Sequence, residues 1–456
     1  VSLLCMKKIA LISANNYQDP YPIYPIGISY IATYLKEKMP TWQLDIFDFN
    51  LGGHADLALF LQRGNFDYIG VSLRNVDDTN YYEQYCFVDH YREVMQTIRK
   101  NSSAVVLMGG SGFSVFPDVL FNDLGPDWGI QGEGEESICK LISALENKKD
   151  PTGIDGLVYR KDDGSVGINQ HKQYISSLAF HVEPDTAHFY FDKSGMLNIQ
   201  TKRGCPYGCI YCSYPNIEGP RVRLLDPVSV VENIKELYYS KGVNYLFFTD
   251  SVFNIHREYN RELSNRLIES KVQVKWGAYF TPYNLTYQDL ELYQKAGLKH
   301  IEWGTDSLSD IQLENYNKSF RFSDIKQQSL NASQLGIFHA HFMILGGYGE
   351  TDQTLDQTFE RSRELGLTLF FPFVGMRIYP RTRLYRIALQ EGVIKPSDDL
   401  LKPVYYLSKN LDISSIKERA LACGQRWIFP GFGSQEVIDR FRAKKKRGPL
   451  WEYLMY

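Results

Sequence analysis

The feature that most restricts how this chain can fold is an alternation of short β-branched stretches with helical patterns, and it occurs twice. In the first series, apolar stretches at 8–13, 44–49, 68–73, 104–108 and 128–131 are spaced by helical periodicity, including 28–39 and a long helix around 82–100. Strands spaced by helices predict βαβ units and a parallel, doubly wound sheet. Such sheets bind ligands outside the carboxyl ends of their strands. Glycines sit at those ends: Gly109 and Gly110 close the fourth stretch, and Gly132, Glu133, Gly134 and Glu135 follow the fifth. The second series has strand-like runs at 197–201, 244–249, 273–280, 299–304, 338–345 and 368–376. Six such units predict a partial (β/α)6 barrel, whose chemistry belongs at the carboxyl ends of its strands. Between the two series, Asp162-Asp163-Gly164 lies between 156–160 and 165–168 as a hairpin signal. The expected organisation of this α/β chain is a doubly wound domain over 1–150, a linker with a hairpin over 151–195, a partial barrel over 196–384 and a helical region over 385–456.

Charge narrows the partners. The 50 Lys+Arg against 53 Asp+Glu leave a net charge of -3, so a nucleic acid is not the expected partner. No stretch approaches the roughly 18 apolar residues of a membrane span. The opening residues place their lysines after a very short apolar run, the reverse of a signal peptide. A cytoplasmic, reducing location is expected, where the seven cysteines are thiols or metal ligands and not disulfides.

Three of those cysteines stand apart. Cys205, Cys209 and Cys212 follow directly on the strand-like run at 197–201, in a loop with Gly204, Pro206 and Gly208 that lets the backbone turn. Three thiolates at this spacing can wrap a soft metal centre. On a four-iron cluster they leave one iron without a protein ligand, an open position of the kind that marks a reactive metal. A structural zinc is the alternative, with His188 or His256 as fourth ligand. Cys5, Cys86, Cys139 and Cys423 are scattered and read as buried thiols. His339 and His341 share one face of the fifth barrel strand, either as acid/base groups in the interior or as core histidines.

The CxxxCxxC pattern after the first strand of a partial barrel, with Tyr211 between the last two cysteines, resembles the radical S-adenosylmethionine enzymes over about 200–376. The resemblance implies a [4Fe-4S] cluster whose open iron chelates the amino and carboxyl groups of S-adenosylmethionine. One electron then cleaves the carbon–sulfur bond, and the 5′-deoxyadenosyl radical abstracts hydrogen from substrate. The Gly-Gly-Glu usual in that family after the second strand is absent, and Asp250 and Asn254 stand in its place as candidates for the cofactor's amino end. By the same likeness Glu302 or Ser307 is expected at the ribose, and Gly346 and Gly347 near the adenine.

The first domain, over about 7–148, resembles the cobalamin-binding domain of the cobalamin-dependent members of that family. The likeness rests on Pro25 and Gly27 opening the first helix, on Ser72, Arg74 and Asn75 after the third strand, and on Gly109, Gly110, Gly132, Glu133, Gly134 and Glu135. It implies a flat corrin across the strand ends, its tail beside glycines that permit close approach. The Asp-x-His-x-x-Gly of domains that ligate cobalt through histidine is absent. Arg74 can face the lower side of cobalt, or pair with Asp77 or Asp78 at the surface. Together the resemblances imply a methyltransferase acting on an unactivated carbon. One S-adenosylmethionine would methylate the cobalamin, and a second would generate the radical. The expected partners are a small-molecule or lipid-like substrate and an electron donor of the flavodoxin or ferredoxin type. Cyclisation or rearrangement, possibly in lipid or natural-product tailoring, stays open beside a non-catalytic iron–sulfur or zinc protein.

Overall fold

The computed structural model describes residues 6–175, 184–430 and 434–455; Cys5 lies outside the described residues. The chain divides into two compact units, one of residues 1–78, 86–182 and 216–219, the other of 79–85, 183–215 and 220–456.

The first unit is built on β1 (Lys8–Ser13), β2 (Gln43–Asp48), β3 (Tyr68–Ser72), β4 (Val105–Gly109), β5 (Trp128–Ile130), β6 (Leu157–Arg160) and β7 (Val166–Ile168). They form one sheet in the order β2-β1-β3-β4-β5-β6-β7, and the first five are parallel. The order 2-1-3-4-5 is doubly wound, with its reversal between β1 and β3, where such sheets open a crevice. On one face Ile28, Ala32 and Leu35 meet Ile138, Leu141 and Ile142 over Ile9, Leu11, Leu107 and Ile130. Each such isoleucine or leucine side chain contributes roughly 1.5–3 kcal/mol on burial.

Two expectations change here. The hairpin assigned to a linker extends the sheet instead: β6 pairs antiparallel with β5, Leu157 opposite Ile130 and Val158 opposite Gly129, and β7 pairs with β6. A hairpin needs no crossover helix, and this one covers an edge that β5 would otherwise leave open. The long helix expected from about 82 begins only at Val88 and runs to Asn101. Ahead of it Asn80 Oδ1 accepts from the Tyr82 amide at 3.1 Å, a local side-chain turn that competes with helix.

The second unit contains β8 (Leu197–Ile199), the short pair β9 (Lys202–Arg203) and β10 (Arg223–Leu224), then β11 (Tyr245–Phe248), β12 (Lys275–Phe280), β13 (Leu298–Asp306), β14 (Phe338–Leu345) and β15 (Leu369–Val374), and a last pair, β16 (Met376–Arg377) and β17 (Tyr405–Tyr406). Six of them make one parallel sheet in sequential order from β8 through β11 to β15, the succession of an open (β/α)6 barrel. The helix-facing side is apolar, with Met343, Leu345, Phe370 and Val374 packed on Leu313, Ile325, Leu355 and Phe359. Residues from the helical C-terminal region cover the β15 edge: Phe370 N donates to Arg426 O at 3.0 Å and Ile428 N to Phe370 O at 2.8 Å. Between them Trp427 stacks on Phe370 with ring centroids 4.4 Å apart. His339 and His341 lie on the helix side. Ser329 Oγ meets His339 Nε2 at 2.9 Å, and Thr305 Oγ1 meets His341 Nδ1 at 2.7 Å. Burial holds both imidazoles neutral, His339 pushed down to about 4, so the core reading of this pair is the one the structure bears out.

Candidate active site

The cysteine loop leaves the barrel at the end of β8 and is anchored there by a buried charge pair. Asp250 Oδ1 accepts from the amides of Thr201 (2.7 Å) and Lys202 (3.2 Å), and Asp250 Oδ2 meets Lys202 Nζ at 2.7 Å. Lys202 is 1% and Asp250 0% exposed. Burial pushes the Lys202 ammonium down, and Asp250 opposes that shift. The ammonium also lies 4.4 Å from the Phe253 ring centroid.

This overturns the expectation that Asp250 binds the amino end of a ligand, because its oxygens are spent on the loop's own foot. Asn254 is likewise committed: its Nδ2 donates to Thr281 O (2.8 Å) and Tyr283 O (3.1 Å), and its Oδ1 accepts from Thr281 N at 3.0 Å. Ser307, fully buried, shares a hydrogen bond with Thr358 Oγ1 at 3.1 Å and accepts from Ser309 N at 3.1 Å, so it offers no hydroxyl to a ribose.

The loop beyond this foot is stapled on several sides. Asn317 Nδ2 donates to Gly208 O at 2.7 Å. Ile210 N donates to Tyr316 O at 3.3 Å, Leu384 N to Ile210 O at 2.8 Å, and Cys212 N to Cys209 O at 3.2 Å. Cys205 is buried, while Cys209 and Cys212 are partly exposed. Tyr211 OH donates to Asp306 Oδ2 at 2.5 Å, and the Lys318 ammonium meets the same oxygen at 2.5 Å while donating to Gly304 O at 3.3 Å. Asp306 sits at φ 64°, a left-handed conformation uncommon outside glycine and enriched where structure is held for a purpose. Burial would lower the Lys318 pKa, but Asp306 and the neighbouring Cys209 more than offset this and raise it. Lys318 and Asp306 are absent from the sequence-derived site. Asp306 closes a strand-end segment, but nothing in the sequence pairs it with a lysine in a later turn.

Burial pushes the Cys212 thiol up to about 12, with Cys209 adding to the rise and Lys318 opposing it. A thiol must lose its proton to ligate a metal, so the nearby ammonium favours the ligating form. The donor set bears on the two metal readings. A tetrahedral zinc with bonds of about 2.3 Å draws its sulfurs within about 4 Å of one another. Among the described residues the three cysteines do not form a group with ligand atoms within 4.8 Å of each other, alone or with a histidine. His256 is committed elsewhere, its Nδ1 accepting from Tyr259 N at 3.2 Å at the head of the helix Arg257–Glu269, and His188 is exposed. Three thiolates on one loop, with neither candidate histidine gathered beside them, are a donor set suited to a cluster that takes one sulfur per iron.

The barrel face turned away from the helices carries Phe247, Tyr279, Phe342, Phe371 and Phe373. Phe342 stacks on Phe371 at 5.4 Å, and Phe247 meets Tyr279 edge-on at 5.0 Å. Glu302 joins this face, its Oε1 accepting from Trp451 Nε1 at 3.3 Å. At 3.3 Å per residue it lies about 13 Å along β13 from Asp306, deeper than a strand-end contact to ribose. Burial pushes its carboxyl up to about 7. A carboxyl whose folded pKa is raised binds its proton more tightly in the native state. Stability is therefore lost as pH rises from the unfolded value near 4.5 through about 7. Glu302→Gln is expected to raise the thermal unfolding midpoint at pH 8 relative to the unsubstituted protein and to leave it nearly unchanged at pH 4. Scanning calorimetry at the two pH values measures this, and equal shifts at both would remove the titration from the explanation.

The glycine-rich segment after β14 is packed tightly. Gly346 is at φ 77°, and its amide donates to Glu350. A Cβ at Gly347 would lie 2.4 Å from Tyr316 Oη, and the Tyr316 carbonyl holds the cysteine loop. These glycines therefore bring the segment onto the loop's support. Glu350 is buried, which pushes it up to about 8 against the Gly346 and Gly347 amides.

In the first unit the residues singled out from the sequence gather at the carboxyl edge of the sheet. Pro25 caps the helix Ile26–Lys38, and Gly27 beside it faces open space. Ser72 ends β3. The carbonyls of Arg74 and Asn75 just beyond accept from Ser111 Oγ (2.6 Å) and Tyr91 OH (2.6 Å). Gly109 ends β4. Glu133 accepts from Ile175 N at 3.2 Å; Gly134 caps and Glu135 opens the helix Glu135–Glu146. The expectation that the glycines clear room for a ligand's tail is corrected at two positions. A Cβ at Gly110 (φ 98°) would meet Leu73 O at 2.4 Å, and one at Gly132 would meet His171 at 2.8 Å, so protein atoms fill both spaces. Gln131 Oε1, buried at this edge, has no hydrogen-bond partner among the described residues, an acceptor open to a ligand with N–H groups.

The site thus sets a three-cysteine loop beside the open parallel barrel, in a chain that also carries a doubly wound sheet. The profile of the Radical SAM superfamily matches residues 199–361. A tryptophan 2-C-methyltransferase of Streptomyces laurentii is 23% identical over 446 residues, covering 82% of this chain and 73% of that one. An anaerobic magnesium-protoporphyrin IX monomethyl ester cyclase of Rubrivivax gelatinosus is 27% identical over 277 residues, covering 58% of this chain and 50% of the cyclase. Among solved structures, the radical S-adenosylmethionine methyltransferase TsrM of Kitasatospora setae, with cobalamin and a [4Fe-4S] cluster bound, superposes with a TM-score of 0.89 at 20% identity over 99% of this chain and 97% of that one. Residues 199–361 thus match the Radical SAM superfamily model, and the whole chain shares its fold with the cobalamin- and cluster-bound methyltransferase.

Among the described residues no helix is long and apolar enough to cross a membrane.

Proposed function

We propose that this protein is a cobalamin-dependent radical S-adenosylmethionine methyltransferase that acts on an unactivated carbon of a small, largely apolar molecule. The observation that carries the reading is the cysteine loop, pinned through Tyr211, Asp306 and Lys318 to the mouth of the barrel. When bound, the cluster with S-adenosylmethionine supplies a hydrogen-abstracting radical and the corrinoid supplies a transferable methyl group. Cys205, Cys209 and Cys212 would hold the cluster, and three thiolates alone would leave one of its irons without a protein ligand. Lys318 sets a positive charge beside the thiolates, and the Lys202–Asp250 pair fixes the loop's origin. The phenylalanine-lined face offers an apolar wall beside a reactive site, and Glu302 gives it one polar handle for a substrate N–H or O–H. In the first unit Gly27 and Gln131 lie at the strand-end edge where a corrinoid would rest, near Ser72, Arg74 and Asn75. A flavodoxin or ferredoxin in the cytoplasm is the proposed source of electrons.

The similarity to a cyclase supports a second reading, cyclisation or rearrangement without methyl transfer, and one experiment separates the two. The protein is reconstituted anaerobically with iron, sulfide and cobalamin, reduced, and given S-adenosylmethionine with extracts of candidate small molecules. Formation of both 5′-deoxyadenosine and cobalamin-dependent S-adenosylhomocysteine is expected. Deoxyadenosine alone would favour rearrangement, and neither product would overturn both readings.

A further inference from the structure

The first unit holds a second group of metal-type donors that the proposed reaction does not use. One ligand atom from each of His54, His90 and Glu93 lies within 4.8 Å of the other two. We propose that these three residues bind one divalent transition-metal ion of the zinc class, which clamps the head of the helix His54–Gly64 to the helix Val88–Asn101.

Several observations converge on this. His90 and Glu93 are one turn apart on the helix Val88–Asn101, where residues three apart share a face. His54 is the first residue of the other helix, and its Nε2 lies 3.4 Å from Glu93 Oε2. The two imidazoles are held from outside the group. Phe49 meets His54 and His90 edge-on at 5.0 and 4.9 Å, and the two rings are 5.3 Å apart. His90 Nε2 lies 2.8 Å from Ala14 O, so Nε2 carries the proton and Nδ1 keeps its lone pair. A backbone carbonyl that fixes tautomer and orientation in this way is the usual outer partner of a ligating histidine.

A surface ion pair between His54 and Glu93 would account for only part of this arrangement. Such pairs are worth at most about 1 kcal/mol, and a pair of His54 with Glu93 leaves the placement of the His90 ring beside them without a role. A dication accepts lone pairs from both rings and charge from the carboxylate. Two histidines and one carboxylate are an established zinc donor set, with a fourth position left to water. Glu93 is exposed and both histidines half-buried, which leaves the ion a route in and room for that water. Ala14 follows β1 and Phe49 follows β2, so the clamp sits at the carboxyl edge of the sheet, and it stands independently of the proposed reaction.

The test is calorimetric titration of zinc chloride into the cluster- and cobalamin-loaded protein, compared with Glu93→Gln and with the double variant His54→Ala/His90→Ala. One zinc per chain is expected to bind at this site. Affinity should fall on the order of tenfold or more in each variant, since even outer partners of a metal ligand are worth 10–100-fold. Zinc should also raise the thermal unfolding midpoint of the unsubstituted protein more than that of either variant. Glu93→Gln changes an exposed side chain and keeps the fold intact for the comparison. Equal stoichiometry and affinity in all three proteins, or no zinc bound below millimolar concentration, would overturn the site.

Discussion

Cys209→Ala is expected to lose the cluster and with it all cleavage of S-adenosylmethionine, while the protein stays folded. Cys209 is partly exposed, so the substitution opens no cavity in the core. The main-chain contact it offers, its carbonyl to Cys212 N at 3.2 Å, survives the change. What is lost is one of three thiolates, and two cannot retain a cluster that already has an unligated iron. After reconstitution the variant should carry background iron and sulfide and give no detectable 5′-deoxyadenosine, with circular dichroism like that of the unsubstituted apoprotein. Retention of full iron and turnover would remove the cysteine loop from the chemistry.

The second large effect concerns the foot of that loop. Asp250→Asn leaves the Lys202 ammonium, 1% exposed, without its counter-charge. Breaking a buried pair from one side costs about 3–5 kcal/mol. In denaturant the transition of the second unit should move to markedly lower concentration. The double variant Lys202→Met/Asp250→Asn, which removes both charges, should recover much of the loss, because the penalty belongs to the orphaned ion. A double variant no better than Asp250→Asn would mean that the carboxylate's hydrogen bonds to the Thr201 and Lys202 amides, and not the charge pair, hold the loop. The comparison is read as a shift in one unit's transition, since a chain of two compact units need not unfold in a single step.

Most of the architecture was legible because strand and helix periodicities differ and both series alternate regularly. The five parallel strands of the first sheet and the six of the second overlap the runs read from the sequence at 8–13, 44–49, 68–73, 104–108, 128–131, 197–201, 244–249, 273–280, 299–304, 338–345 and 368–376. The hairpin at β6 and β7 was visible as a hairpin, but its pairing with β5 was not, since local turn chemistry does not say which distant edge a hairpin joins. The three cysteines and Tyr211 were legible because their whole geometry is local. Asp250, Asn254 and Ser307 misled for a related reason: side chains near a strand end point to alternate sides, and these three turn into the body of the protein. The residues that hold the loop, Asp306 with Lys318 and Asp250 with Lys202, are joined only by tertiary folding. Gly110 and Gly132 look like clearance for a ligand, yet their space is taken by Leu73 and His171.

In the proposed chemistry the three-cysteine loop carries a cluster with one iron open to S-adenosylmethionine. Electron paramagnetic resonance of the reconstituted, reduced protein before and after adding S-adenosylmethionine tests it most directly. The expected result is the signal of a reduced [4Fe-4S] cluster that changes on addition of the sulfonium compound. It would be contradicted by a protein that takes up zinc in place of iron at these cysteines, or by a cluster signal that S-adenosylmethionine leaves unaltered.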